Sequence, residues 1–197
     1  MNKLISTVAL ISIASISNAQ QFTAQDEAST TKSVTSISIL SPAITHEIAI
    51  GRNQTIFLAG ELNGVARYEE IGSSNPKAYN SYYGLTPRVM ADFRNYYNFG
   101  KRLGKGKNIN DNSGNYLALR AEYKFSPVVN KEQFPTYNNG VALGGVWGIQ
   151  RVYNSGIYLG LSLGAGFLFG NNKFETTGMG DFHLGFNIGS SSKKKTY

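Results

Sequence analysis

The chain has 197 residues, 41% of them hydrophobic, no cysteine and a formal net charge of +7. That length fits one domain, and the missing cysteines exclude disulfide staples, thiol nucleophiles and a lipidated cysteine. Mean hydropathy is −0.23 and no run of about 18 apolar residues follows the first segment, which excludes a helical membrane protein and leaves closed strands as the way to span a bilayer.

Met1-Asn2-Lys3 leads into an aliphatic stretch from Leu4 to Ile16 and then Ser17-Asn18-Ala19-Gln20. One basic residue, an apolar centre and a small-x-small ending, in that order, predict a cleaved signal peptide over 1–19. Residues 20–32 are polar and aperiodic, and read as a leader; Gly189 to Tyr197 is a small, polar, basic tail. A basic balance raises nucleic acid as a partner, but an exported chain has little access to it, so none is expected.

Between 33 and 188 the sequence alternates with period two, broken by turn residues, and carries no useful amphipathic helix pattern. At the start, Ile37 and Ile39 set one phase and Ile44, Ile48 and Ile50 the other, with Ser41-Pro42 between; two short strands account for the slip. Thr55 to Tyr68 sets Ile56, Leu58, Leu62, Ala66 and Tyr68 against Glu61, Asn63 and Arg67. Leu85 to Phe99 sets Leu85, Val89, Ala91, Phe93, Tyr97 and Phe99 against Arg88, Asp92, Arg94 and Tyr96. Asn115 to Phe125 sets Leu117, Leu119, Ala121, Tyr123 and Phe125 against Tyr116, Arg120, Glu122 and Lys124.

Gly140 to Arg151 places Val141, Leu143, Trp147 and Ile149 on one face. Tyr153-Asn154-Ser155-Gly156 is a tight turn into Ser155 to Phe169, where Ile157, Leu159, Leu161, Leu163, Ala165, Phe167 and Phe169 share a face opposite Tyr158, Gly160, Ser162, Gly164 and Gly166. The last segment, Gly180 to Ile188, alternates Phe182, Leu184, Phe186 and Ile188 with His183, Gly185 and Asn187. A single bulged first strand would give seven strands; bacterial barrels favour even numbers, so the expected count is about eight.

Alternation of this kind suits a soluble barrel with the apolar row inside or a membrane barrel with that row toward lipid. Arg88, Arg94, Arg120 and Lys124 near mid-membrane would cost about 2–4 kcal/mol each, which excludes the register with charges toward lipid. Glycines on some strands of the mixed row and long charged side chains on others suit a narrow filled lumen, and aromatics closing the apolar rows suit interfacial girdles. On these segments the chain resembles the small Gram-negative outer-membrane barrel family, that of the OmpA-type transmembrane domain, OmpX and opacity-like proteins. It departs from that family in following its last strand with GSSSKKKTY instead of ending on an aromatic. The resemblance implies an all-β, up-and-down transmembrane barrel in the outer membrane, with lipid as its surroundings and a monomer as its unit.

The predicted lumen network is Glu47, Glu61, Arg67, Arg88, Asp92, Arg94, Arg120, Glu122 and Lys124, read as paired charges that plug the barrel. The predicted lipid-facing set is Leu117, Leu119, Trp147, Ile157, Leu159, Leu161, Leu163, Phe167, Phe182, Leu184 and Phe186. Carboxylates beside basic neighbours stay ionised and paired, which argues against acid–base catalysis. His46 and His183 lack HExxH or paired spacing, so no metal is expected, and His183 reads as a polar lumen filler. GKRLGKGK at 100–107 fails as a phosphate loop in spacing and in Asn108. NINDNSG at 108–114 fails as a calcium loop in its neutral ligands and Ser113, which leaves a hydrophilic hairpin connection. Its Lys101, Arg102, Lys105 and Lys107, like Lys193 to Lys195, suit anionic headgroups.

The stretches 69–83 and 126–139 read as long, tyrosine-rich extracellular loops able to contact a cell-surface ligand. No catalytic residue, cofactor or metal is assigned. A structural or surface-interaction role is the first reading. A narrow channel for small polar or anionic solutes, lined by Arg88, Arg94, Arg120, Lys124, Glu61 and Glu122, is the second, and a lipid-modifying enzyme with its nucleophile at the outer rim is the third. A soluble exported barrel with an apolar ligand inside remains as a structural alternative.

Overall fold

Eight antiparallel strands pair in chain order, and the last closes on the first. The structure is a computed structural model that describes residues 31–71, 78–129, 139–170 and 173–191. The strands are β1 (Ser33–Ser38), β2 (Ala43–Ala49), β3 (Gln54–Ile71), β4 (Ala78–Tyr96), β5 (Asn115–Lys124), β6 (Gly140–Val152), β7 (Ile157–Gly170) and β8 (Lys173–Ser191). The predicted signal peptide, most of the leader, and Lys193 to Lys195 lie outside the described residues.

Register fixes the width. Followed round the wall from Ile37, the row of facing residues passes Ile44, Gly60, Val89, Tyr123, Val141 and Phe169 and arrives at Phe174, whereas Ile37 itself is bonded to Phe186, a stagger of twelve residues. Eight steeply tilted strands enclose an interior that side chains can fill. The period-two pattern then sorts residues by parity. Phe57, Met90, Tyr96, Tyr116, Tyr158 and Met179 are buried with Glu61, Arg88, Asp92, Arg94, Arg120 and Glu122, while Leu117, Leu119, Leu163 and Phe167 are exposed.

Glycine supplies the room that the large inward side chains need. A Cβ on Gly148 would run into the ring of Tyr116, and one on Gly144 into the backbone of β7 and the sulfur of Met179. The large and small inward residues therefore interlock across neighbouring strands.

Four expectations need correction. The stretch 69–83 is largely strand, since β3 runs to Ile71 and β4 begins at Ala78, with Glu69 facing Asn80 and Glu70 facing Tyr79. A hairpin that carries polar residues on both faces loses the alternation by which strands are recognised. Likewise β8 begins at Lys173 and takes in Gly189-Ser190-Ser191 from the supposed tail. The connection after β4 is a helix, α1 (Phe99–Leu103), followed by a 3-10 turn (Asn110–Asn112), in place of a plain hydrophilic hairpin. Phe99 and Ile109 are buried and Leu103 packs against them, so a short apolar set hidden among lysines and asparagines docks the segment. The stretch 126–139 is a loop only in part of its described residues: Val128 N–H bonds to Leu85 O, extending the ladder past β5. Residues 130–138 lie outside the described set.

Candidate functional site: a charged lumen closed at one end

The inward row forms three tiers from the termini end to the loop end. In the lowest, the Glu47 carboxylate accepts hydrogen bonds from Thr55 Oγ1 (2.5 Å), Tyr96 Oη (2.7 Å) and Gln150 Nε2 (3.0 Å). It makes no ion pair among the described residues, which corrects its placement among the paired charges. Three donors hold it instead. Above it, Arg94 donates to Asp92 Oδ2 (3.1 Å) and Gln150 Oε1 (3.0 Å), and its guanidinium lies 3.4 Å from the Phe57 ring centroid and 4.3 Å from that of Tyr116. Stacking on two rings satisfies the faces of a fully buried cation that its hydrogen bonds leave open.

The middle tier is a clamp. Arg120 grips Asp92 with both Nε (2.7 Å) and Nη2 (2.8 Å), and reaches Asp181 through Nη1 (3.0 Å). Ser162 Oγ also donates to Asp181. In the upper tier, Arg88 Nε donates to Glu61 (2.6 Å), with a second contact from Nη2, and Nη1 bonds Glu122 (3.1 Å). His183 Nε2 lies 2.8 Å from Glu61, and Lys124 Nζ lies 3.2 Å from both Glu122 Oε1 and Thr177 Oγ1. A two-pronged Arg–carboxylate pair is strong in a dry interior and restricts both side chains to one geometry.

At the termini end the segment between β4 and β5 stoppers the barrel. The Phe99 ring stacks on Tyr96 at 4.9 Å, and Tyr96 meets Tyr116 edge-on at 5.4 Å. Asn112 Nδ2 donates to Lys32 O while its Oδ1 accepts from Lys32 N–H, both at 2.8 Å. Asp111 accepts from Ser190 Oγ (2.7 Å), and its carbonyl from Gln150 Nε2 (3.2 Å). Asp111 and Asn112 hold the left-handed backbone, φ 49° and 62°, which their residue types tolerate. The stopper is thus tied to the N-terminal segment, to β6 and to β8.

Of the predicted lumen residues, Glu47, Glu61, Arg88, Asp92, Arg94, Arg120 and Glu122 are buried inside, and Lys124 is half-buried above them. Arg67 lies on β3 opposite Tyr82, and its side chain lies outside the described residues. Sequence reasoning placed Tyr96, Tyr116, Tyr158, Ser162 and Gln150 on the row opposite the apolar one but left them out of the network, and it left out Asp181. Asp181 shares the parity of His183 but stood at the edge of a strand drawn too short.

Leu117, Leu119, Trp147, Ile157, Leu163, Phe167, Phe182, Leu184 and Phe186 are exposed on the outer face, and Leu159 and Leu161 share that parity but are half-buried. On the same face Trp147 Nε1 donates to Tyr97 Oη (2.8 Å), and His46 Nδ1 meets Thr35 Oγ1 (2.9 Å). No cluster of metal-ligating side chains occurs among the described residues. No protein-family model matches the chain, nor does any curated protein or solved structure.

Proposed function

We propose that the chain is an exported outer-membrane β-barrel of the small Gram-negative type, with a lumen sealed by bonded charges and a structural or surface-interaction role. The observation that carries this reading is the inverted distribution of side chains: Arg94, Arg120 and Asp92 are at most 2% exposed, while Leu119 and Leu163 are at least 60% exposed. In water that arrangement leaves a far larger apolar surface than a soluble monomer tolerates. In lipid it is what the solvent selects, since the apolar row meets acyl chains and the charges inside, among the described residues, are ion-paired or, for Glu47, hydrogen-bonded. The tyrosine-rich hairpin of β3 and β4 and the stretch 126–139, on the far side from the termini, are the surfaces offered to a cell-surface partner.

A sealed lumen also separates this reading from a channel. The clamp of Arg120 on Asp92 and Asp181 occupies the axis, and the Tyr96–Phe99 stack lies below it. Expression of the full chain in a Gram-negative host, envelope fractionation and a gel run with and without boiling test the proposal. Outer-membrane protein with heat-shifted migration is the expected result. Unshifted protein in the soluble periplasm contradicts it. In planar bilayers the same protein gives no steady conductance; an anion-selective conductance would replace the sealed barrel with the channel.

A further inference from the structure

β3 and β8 outrun the hairpin that stands between them in the wall. β1 stops at Ser38 and β2 starts at Ala43, whereas β3 continues to Ile71 and β8 begins at Lys173. The bonds nearest the hairpin tip are Leu62 N–H to Pro42 O and Ile39 N–H to Leu184 O. Beyond them the pairing of β3 to β2 stops before Asn63 and that of β8 to β1 stops after His183. The wall is notched from the hairpin tip to the loop end.

The notch opens onto the top of the charged lumen. A polar cavity of about 190 Å³ is lined by Asn63 and Gly64 from one edge, Gly178 and Gly180 from the other, and Arg88 and Lys124 facing them. Arg88 reaches the Gly180 carbonyl at 3.4 Å, so a guanidinium from across the lumen serves this strand. A Cβ on Gly64 or Gly178 would meet nothing within 4 Å. Packing does not demand glycine at either place; both have the outward parity of their strands, so the missing side chains leave the outer mouth of the notch clear. Gly64 and Val65 also border an apolar groove of about 550 Å³, bounded by Ala66, Tyr83, Leu85 and Val129.

Polar and apolar spaces meeting at Gly64 call for an amphiphile. Thr86, on the cavity wall, is 1% exposed and its hydroxyl has no hydrogen-bond partner. Lys124 is the most exposed cation of the described network, its side chain 17% exposed; its ammonium pairs with Glu122 at 3.2 Å and donates one hydrogen bond, to Thr177. Because Arg88 faces Lys124 in the register, Thr86 and Lys124 are diagonal neighbours on one face. An ammonium with N–H groups to spare beside an unpartnered hydroxyl matches the two oxygens of a carboxylate, whereas a phosphate brings more acceptors and charge than this anchor balances.

We infer that the notch admits a long-chain fatty acid sideways from the outer leaflet, with its carboxylate on Lys124 Nζ and Thr86 Oγ1 and its chain in the groove beside Leu85 and Val129. This rests on the outer-membrane reading. The test is displacement of a fluorescent stearate analogue from the full chain, folded in an uncharged detergent, by oleate, oleyl alcohol or oleoyl lysophosphatidate. Oleate displaces the probe at least ten-fold more effectively than oleyl alcohol. Lys124→Gln weakens oleate at least ten-fold, and Gly64→Leu with Gly178→Leu blocks it; Thr86→Val replaces Lys124→Gln if that variant does not fold. Equal competition by the alcohol, or binding indifferent to these substitutions, overturns the site, and tighter binding of lysophosphatidate overturns the carboxylate assignment. A heat-shift gel on the same samples keeps the two readings apart: a heat-shifted barrel that ignores oleate overturns the notch alone, and an unshifted chain overturns the membrane reading.

Discussion

At the termini end of the barrel, Phe99 of the docked helix stacks on Tyr96, which meets Tyr116 edge-on, and Glu47 takes three hydrogen bonds from neutral donors. At the loop end, the Lys124 side chain is 17% exposed and the buried Thr86 hydroxyl has no hydrogen-bond partner. The same inward row, built on the same strands, makes a packed stopper at one end and an accessible vestibule at the other. The difference lies in what the neighbouring chain does. Between β4 and β5 the chain folds back and brings apolar groups onto the lumen, while between β1 and β2 it turns early and leaves the wall low. Stability concentrates where the interior is dry, and chemistry is offered where it is wet.

The sharpest way to break this contrast is to remove a charge from the dry region. Arg120→Met leaves Asp181 with Ser162 as its hydrogen-bond donor and Asp92 with Arg94 as its cation, and is expected to cost about 3–5 kcal/mol in denaturant unfolding of the lipid-reconstituted barrel. Adding Asp181→Asn restores most of that loss, because the penalty belongs to the unpaired charge while Arg94 keeps Asp92 paired; a double variant no better than the single one contradicts the pairing account. Next, Phe99→Ala empties the stack on Tyr96 and costs about 3 kcal/mol, read from the same unfolding curves. Gly148→Ala presses a methyl into the Tyr116 ring and costs about 1–3 kcal/mol, with Gly145→Ala, on the outer face where a Cβ meets nothing within 4 Å, as the harmless control. Smallest of all, Lys124→Gln at the wet end shifts the unfolding midpoint by under about 1 kcal/mol. A loss there as large as that of Arg120→Met would erase the distinction between the two ends.

How far the sequence carried this picture depends on which solvent each segment meets. Leu117 to Phe125 and Ile157 to Phe169 were legible because one face is apolar throughout, so parity alone separated outside from inside. Glu69 to Tyr83 was misread because its polar residues fall at both parities and carry no such contrast. The helix at Phe99–Leu103 is too short for a 3.6-residue period to register, and its one buried aromatic was assigned to the end of β4. The lumen charges were visible as a row, but not their partners: that Asp92 is shared by Arg94 and Arg120, or that Glu47 is held by Thr55, Tyr96 and Gln150, depends on strand stagger, which residue order does not encode. The notch was invisible for the same reason, since it arises from β1 and β2 being shorter than β3 and β8.

The central claim is that the outer row faces lipid, and Trp147, the chain's single tryptophan, sits on that row. Its fluorescence in vesicles of lipids brominated along the acyl chain reports the answer directly. Strong quenching by the brominated chains with little quenching by aqueous acrylamide is the result this structure predicts; quenching by acrylamide and none by the brominated lipid would contradict it.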